Sequence, residues 1–311
     1  MQSLYRRKLS ALAIKSQLQK ENLIVPVIVR EDGQCGPLNT ISIPEVHTMF
    51  QLIQKSGIRN IMIFGIPKLR NVSGSKAWDP KGIAQTAVRR IRDNFGDYFN
   101  IITDACICQY NQSGHCGILD GNHLNNDKSL KAILNIALSQ AESGSNVIAP
   151  SAMIDGQVKS IREILDNNGF ENVKIMSFAA KMASCLYSPF RVTAYDNPTK
   201  AIDKSSYQLS FSNTDECMQE VKLDVDEGAN LIILKPTMFY LDLVSRIKEK
   251  FSIPLAVQQV SGEYYMIKAA SNLKLVEEIE WTMKYMMALR RAGADLILSY
   301  NALQISKFLM R

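Results

Sequence analysis

The sequence lacks any apolar run that could cross a membrane, since no stretch of about 18 consecutive apolar residues occurs. Its first segment, MQSLYRRKLSALAIKSQLQKENLIVPVIV, carries early charges but has no long apolar stretch and no small-residue cleavage site. We therefore predict neither a transmembrane helix nor a signal peptide, and we expect a cytoplasmic protein.

A cluster of basic residues is also missing. The formal charge of +6 is spread along 311 residues, whereas proteins that bind nucleic acids usually concentrate their lysines and arginines on one face. We therefore expect no nucleic-acid partner and no membrane partner. The positive surplus is compatible with an anionic small substrate.

Linkers, low-complexity tracts and shifts in composition are absent as well. Hydrophobic residues make up 46% of the chain and charged residues 21%, which is typical of a globular protein with a large core. A length of 311 residues is ordinary for one α/β barrel. We predict a single catalytic domain over residues 21–311, preceded by an N-terminal arm over residues 1–20.

The chain is built from short apolar runs that alternate with amphipathic segments. Eight runs occur, at residues 23–29, 60–66, 99–105, 146–150, 173–178, 230–235, 254–260 and 295–300. Helical patterns occur at residues 43–56, 84–95, 129–143, 157–167, 215–227, 240–251 and 274–292. Continuous apolar runs are typical of parallel strands, because both faces are covered. Eight such units predict an α/β fold of the (β/α)8 TIM-barrel class, and an open doubly wound sheet is the alternative.

Two long polar segments interrupt this alternation, at residues 106–128 and 191–214, and each follows a strand. In a barrel this position is the C-terminal face, where active sites are built. Loops of this length are usually functional or disordered, and the second segment is a candidate lid. Other polar residues at strand ends should converge on the same rim: Asp104, Ser151, Ser261 and Tyr300.

Two lysines lie at the ends of predicted strands: the fifth strand runs into Lys181, and the sixth ends at Lys235. An amine in an apolar environment loses hydration, and a second amine nearby also disfavours its cation, so both effects lower its pKa. A neutral lysine can attack a ketone and form a Schiff base. The alternative is that each lysine extends its ammonium group to solvent at the strand end.

Three of the six cysteines lie within eleven residues, as Cys106, Cys108 and Cys116. Such crowding suggests metal binding or catalysis rather than disulfides. Three thiolates with an open fourth position suit a catalytic zinc. His115 has the chemistry of a ligand, but its position next to Cys116 favours a supporting contact. The alternative is that the cysteines are small buried apolar residues.

The candidate lid carries three residues that suit an anionic substrate, Arg191, Lys204 and Gln208. The planar guanidinium of Arg191 matches a carboxylate. The alternative for a lid arginine is a solvated surface charge.

Several of these segments resemble the porphobilinogen synthase (delta-aminolaevulinate dehydratase) family. The resemblance covers residues from about 60 to the C-terminus. It is carried by DACICQYNQSGHCGIL, APSAMIDGQVKSIREILDNNGF, IMSFAAKMASCLYSPFR, LIILKPTMFYLDLV, QQVSGEYYMIKAA and RAGADLILSYNA. Four positions depart from the family pattern: Ser188, Lys204, Gln258 and Asn301.

The resemblance implies that two delta-aminolaevulinate molecules condense to porphobilinogen, in haem biosynthesis. It implies Schiff bases at Lys235 and Lys181, for the propionate-side and acetate-side substrates. It also implies a zinc ion on the three cysteines, one carboxylate held by Arg191, Lys204 and Gln208, the other by Ser261 and Tyr300, and Asp104 and Ser151 nearby. Family members are commonly homo-octamers. The four departures keep two alternatives open: a paralogue that acts on another amino-ketone, and a catalytically silent assembly partner.

Overall fold

The structure is a computed structural model that describes residues 18–195 and 202–309. The predicted N-terminal arm falls almost entirely on residues outside this range and stays a prediction. Residues 196–201 of the candidate lid are also outside it. Among the described residues, no helix combines the length and the apolar character that crossing a membrane requires.

Eight parallel strands form a closed barrel. They are β1 (Leu23–Arg30), β3 (Asn60–Ile66), β4 (Asn100–Ala105), β7 (Val147–Pro150), β8 (Lys174–Lys181), β9 (Leu231–Lys235), β10 (Leu255–Gln258) and β11 (Leu296–Leu298). Each pairs with the next in this order, and β11 pairs back onto β1 through Leu23 with Ile297. This closure confirms the predicted TIM barrel and excludes the open sheet. Each of the eight apolar runs forms one of these strands.

Three short strands lie outside the barrel wall. Strand β2 (Thr40–Ser42) pairs with the end of β1. Strands β5 (Ile118–Asp120) and β6 (His123–Asn125) form an antiparallel hairpin within the first polar segment. The hairpin turns at Gly121, whose φ of 60° is the left-handed conformation that glycine adopts without strain.

The helices cover the outside of the barrel. They are α1 (Val46–Ser56), α2 (Ile83–Phe95), α3 (Asn126–Glu142), α4 (Gln157–Asn167), α5 (Ser188–Tyr195), α6 (Thr214–Asp226), α7 (Leu241–Lys250), α8 (Ser261–Asn272), α9 (Glu278–Ala292) and α10 (Ala302–Leu309). Short 3-10 turns occur at Lys20–Asn22, Ile43–Glu45, Ser75–Ala77 and Cys185–Tyr187. All seven predicted helical segments are present. Helices α5, α8 and α10 were not predicted.

Two apolar layers explain why the strands read as continuous apolar runs. Along β1, Ile24 and Ile28 belong to a cluster with Met62 and Phe178 inside the barrel. The alternate residues of β1, such as Val25, belong to the larger cluster between the strands and the helices. Because successive side chains point to opposite faces, both faces of each strand need apolar residues. The carboxyl ends of the strands are then the place where polar side chains can gather.

Candidate active site

One pocket at the carboxyl ends of the strands collects most of the residues that the sequence singled out. Eleven of the twelve candidate site residues line it: Asp104, Cys108, Cys116, Ser151, Lys181, Arg191, Lys204, Gln208, Lys235, Ser261 and Tyr300. The twelfth, Cys106, lies beside the pocket in a cluster with the other two cysteines.

The two lysines are paired across neighbouring strands. Lys181 ends β8, Lys235 ends β9, and the two are partners in the parallel register. A bulge in β8 between Ser177 and Ala180 sets this register. Bulges of this kind re-aim side chains near active sites, and this one brings the last residue of β8 level with the last residue of β9.

Lys235 occupies an apolar environment. Its side chain is 9% exposed, and its Nζ atom lies 4.2 Å from the centre of the Phe178 ring. Burial, together with the nearby charge of Lys181, lowers the pKa of Lys235 to about 7. At neutral pH a large share of this amine is therefore uncharged and able to act as a nucleophile.

Lys181 lies between the lysine pair and the cysteines. Its Nζ atom donates a hydrogen bond to the carbonyl oxygen of Ser151 and lies 3.9 Å from the Sγ atom of Cys116. The amine that the sequence suggested as a second nucleophile is thus adjacent to the thiol cluster.

The three thiols form a compact, buried donor set. The Sγ atoms of Cys106, Cys108 and Cys116 all lie within 4.8 Å of one another. Hydrogen bonds from the other two thiols lower the pKa of Cys116, whereas burial raises the pKa of Cys106. Since thiolates, not thiols, bind metals, a cluster with one favoured thiolate fits a metal ion. Within the described residues this is the one group of cysteine, histidine and acidic side chains with such geometry.

Side-chain hydrogen bonds hold the loop that carries the cysteines in place. The side chain of Asn111 accepts a hydrogen bond from the amide of Gly114 at 2.7 Å and donates one to the carbonyl of His115 at 2.8 Å. The hydroxyl of Tyr207 accepts a hydrogen bond from the amide of Cys116 at 3.2 Å and lies 3.2 Å from Nδ1 of His115. His115 therefore supports the loop and is not part of the thiol cluster.

The three candidate lid residues take different positions. The Nζ atom of Lys204 lies 3.3 Å from the Sγ atom of Cys116, and the side chain is buried. The Arg191 guanidinium, on α5, lies 5.7 Å from the centre of the Tyr187 ring. Gln208 lines the pocket, and its Oε1 atom is buried without a hydrogen-bond partner among the described residues.

Ser261 and Tyr300 line the pocket together with Gln258. The hydroxyl of Ser261 accepts a hydrogen bond from the amide of Phe190 at 2.9 Å. Burial raises the pKa of Tyr300, so its hydroxyl stays protonated and can donate a hydrogen bond. The Oε1 atom of Gln258 is buried and has no hydrogen-bond partner in the described part of the chain. It can therefore accept a hydrogen bond from a ligand beside Ser261 and Tyr300.

Several pocket residues were not identified from the sequence. Gln109 donates a hydrogen bond from Nε2 to the carboxylate of Asp104 at 2.9 Å. The hydroxyl of Tyr187 donates to the carbonyl of Met182 at 2.6 Å, and the ring borders the pocket. Phe64, Phe190 and Val260 complete the lining. The available signal for Gln109 was its place beside Cys108, but nothing in the spacing points to the aromatic residues.

Glu263 supports the loop that follows Lys235. Its buried carboxylate accepts hydrogen bonds from the amides of Thr237, Met238 and Val260 at 2.7, 2.6 and 2.7 Å. Burial raises the pKa of Glu263, and these three bonds oppose that rise. The end of β9 is thereby tied to the first turn of α8, which begins at Ser261.

Known proteins resemble this chain over nearly its whole length. A profile of the delta-aminolevulinic acid dehydratase family matches residues 1–308. The delta-aminolevulinic acid dehydratase of Methanothermus sociabilis is 40% identical over 305 residues, which cover 96% of this chain and 94% of the relative. That of Bacillus subtilis is 38% identical over 303 residues, covering 95% and 93%.

A solved structure agrees with these relatives. The delta-aminolevulinic acid dehydratase (porphobilinogen synthase) of Toxoplasma gondii, in complex with the reaction product porphobilinogen, superposes with a TM-score of 0.92 at 29% identity. The match covers 99% of this chain and 92% of the other. The barrel, the pocket and the matches over whole chains lead to one assignment: the chain belongs to the delta-aminolevulinic acid dehydratase family.

Proposed function

We propose that this protein is a porphobilinogen synthase, a lyase that condenses two delta-aminolaevulinate molecules to porphobilinogen with the loss of two waters. The observation that carries the proposal is the pairing of Lys181 and Lys235 in register beside a cluster of three thiols. The family membership and the product bound to the Toxoplasma gondii protein support the same reaction. Its place is in haem and tetrapyrrole biosynthesis.

Lys235 is the first nucleophile in this proposal. Its uncharged amine attacks the ketone carbon of one substrate, and loss of water leaves a Schiff base. Phe178 and the barrel interior keep the amine poorly hydrated, which is why its pKa lies near 7. Lys181 forms the second Schiff base, with the acetate-side substrate, and the carbonyl of Ser151 orients its amine.

Cys106, Cys108 and Cys116 would hold the metal ion, which we propose to be zinc because three thiolates with an open fourth position suit that ion. Bound there, zinc supplies a Lewis acid that can bind an amine or polarise an oxygen of the substrate. The protein's own part is to bury the three thiols and to keep them beside Lys181.

Each substrate also carries a carboxylate, and the pocket offers donors for two of them. We assign Arg191, Lys204 and Gln208 to one carboxylate, and Ser261 and Tyr300 to the other. Asp104 and Ser151 line the same pocket. The family resemblance further supports a cytoplasmic homo-octamer as the working assembly.

Purified protein tests the proposal directly. We expect porphobilinogen to form from delta-aminolaevulinate in the presence of zinc and to stop forming when a chelator removes the metal. A folded protein that forms no product with or without zinc would overturn the proposal. Borohydride trapping of other amino-ketones on Lys235 in that protein would instead indicate a paralogue with a different substrate.

A further inference from the structure

Lys204 contacts the thiol cluster rather than solvent. Only 6% of its surface is exposed, and its Nζ atom lies 3.3 Å from the Sγ atom of Cys116, a distance at which an ammonium group donates a hydrogen bond to sulfur. The carboxylate role implied by family resemblance does not by itself account for this contact.

Backbone hydrogen bonds keep Lys204 in this position. The amide of Gln208 donates to the carbonyl of Lys204 at 2.9 Å, which closes a turn. The amide of Leu209 donates to the carbonyl of Lys181 at 3.1 Å, so the turn is attached to the end of β8. Tyr207, in the same turn, accepts the amide hydrogen of Cys116. The turn therefore contacts both the amide and the sulfur of one cysteine.

The charge of a metal-loaded thiol cluster would favour a cation in contact with Cys116. Three thiolates around a divalent cation carry a net charge of −1, and burying that charge is costly unless a cation is paired with it. Two ammonium groups lie near Cys116, those of Lys181 and Lys204. In the proposed function the amine of Lys181 is converted into a Schiff base during each turnover. Lys204 is the ammonium group that remains available throughout.

We propose that Lys204 is a positioning residue of the metal site, which donates a hydrogen bond to the Cys116 thiolate and thereby strengthens metal binding. This inference rests on the proposed function for the metal ion on the three cysteines and for the role of Lys181. Outer partners of metal ligands typically change metal affinity by about 10- to 100-fold when they are removed. The contact also ties the turn that carries Gln208 to the metal cluster.

The test measures zinc affinity without substrate, by competition with a chromophoric chelator. We expect Lys204→Met to weaken zinc binding by about 10- to 100-fold. Lys204→Arg keeps the charge and should stay within severalfold of the wild type. The matched control is Lys222→Met, which removes an exposed lysine of α6 that pairs with Asp226, and should leave the affinity unchanged.

A second readout uses cobalt(II) in place of zinc. The sulfur-to-cobalt charge-transfer band reports on the thiolate ligands, so it should shift in Lys204→Met and not in Lys222→Met. If Lys204→Met does not fold, as judged by circular dichroism, Lys204→Gln takes its place in both measurements.

The outcomes separate this inference from the proposed function. Unchanged zinc affinity and an unchanged cobalt band in the neutral variants, with a raised KM for delta-aminolaevulinate, would overturn the metal role and leave Lys204 as a carboxylate ligand. A wild-type protein that forms porphobilinogen without binding zinc would also overturn the inference while the proposed function survives. Weakened zinc binding in a protein that makes no porphobilinogen would support the inference alone.

Discussion

At the scale of single residues, the pocket is marked by three buried lysine side chains. Lysine is rarely buried in proteins, yet Lys181, Lys204 and Lys235 are each less than 10% exposed. Each has a distinct neighbour: a backbone carbonyl for Lys181, a thiol for Lys204 and an aromatic ring for Lys235. We therefore expect these three chemically identical side chains to have different roles.

Replacing Lys235 should remove the first covalent step. We expect Lys235→Met to lower kcat by at least about 1,000-fold, because this change removes the amine that lies against the Phe178 ring and has its pKa lowered to about 7. Borohydride trapping followed by mass spectrometry should then find no adduct on the β9 peptide. Lys174→Met, at the exposed start of β8, is the control and should retain wild-type turnover. Near-normal activity of Lys235→Met would refute its role as nucleophile.

The pKa of Lys235 makes trapping dependent on pH. Because the neutral amine attacks and the pKa is about 7, the trapping rate should rise about tenfold from pH 5 to pH 6 and level off above pH 8. The charge of Lys181 contributes to this lowering. In Lys181→Met the midpoint should therefore move to higher pH. A midpoint near 10 in the wild type would show that Lys235 is not shifted.

At the scale of elements, the ends of β9 and β10 are joined by one carboxylate. The two oxygens of Glu263 bind different amides. Oε1 accepts hydrogen bonds from the amides of Thr237 and Met238, and Oε2 accepts one from the amide of Val260. The turn after Lys235 is thus anchored to the start of α8 by three hydrogen bonds, two of which are fully buried.

Glu263→Gln should uncouple these elements. The amide NH2 group of glutamine cannot accept a hydrogen bond, so at least one buried backbone N–H loses its partner. An unsatisfied buried donor costs about 1–3 kcal/mol, and we expect that loss in the free energy of unfolding measured with denaturant. Glu277→Gln is the control, since Glu277 is the exposed residue immediately before α9 and a glutamine oxygen can still accept the amide of Glu280; it should change stability by about 0.5 kcal/mol or less. Equal effects of the two variants would contradict this account.

The elements also show what could be read from the sequence. The strands were predictable because their two buried faces remove the polar positions that would interrupt an apolar run. The hairpin of β5 and β6 had a local signal, the Asp120–Gly121 pair between apolar residues, which the length of the polar segment obscured. The contact of Lys204 with Cys116 had no local sequence signal, since the two residues are 88 positions apart and only the fold brings them together. The register of Lys181 with Lys235 likewise depends on a bulge that no spacing reveals.

At the scale of the whole molecule, we expect the stability of the barrel to be separable from metal binding. The apolar layers inside and outside the strands form the core, and the three buried cysteines add only a small part of the outer layer. We therefore expect the fold to persist when the metal is removed and the condensation reaction to stop.

Metal removal tests this separation. Treatment with a chelator should abolish porphobilinogen formation and leave the far-ultraviolet circular dichroism spectrum unchanged, and added zinc should restore turnover. Cys116→Ser is a matched variant, which should keep the fold and lose metal-dependent activity. Unfolding on chelation would mean that the cluster is a structural site like that of a zinc finger.

The closure of the barrel joins the two ends of the described chain. The side chain of Asn22 donates a hydrogen bond to the carbonyl of Asp295, 273 residues further on, and β1 pairs with β11 beside it. At a synthesis rate of about 5–20 residues per second, the first strand waits roughly 15–55 s for its last partner. During that time the growing chain presents an unpaired, apolar strand edge to its surroundings. Ribosome-associated chaperones that bind such edges should therefore raise the yield of this protein more than that of proteins with local pairing.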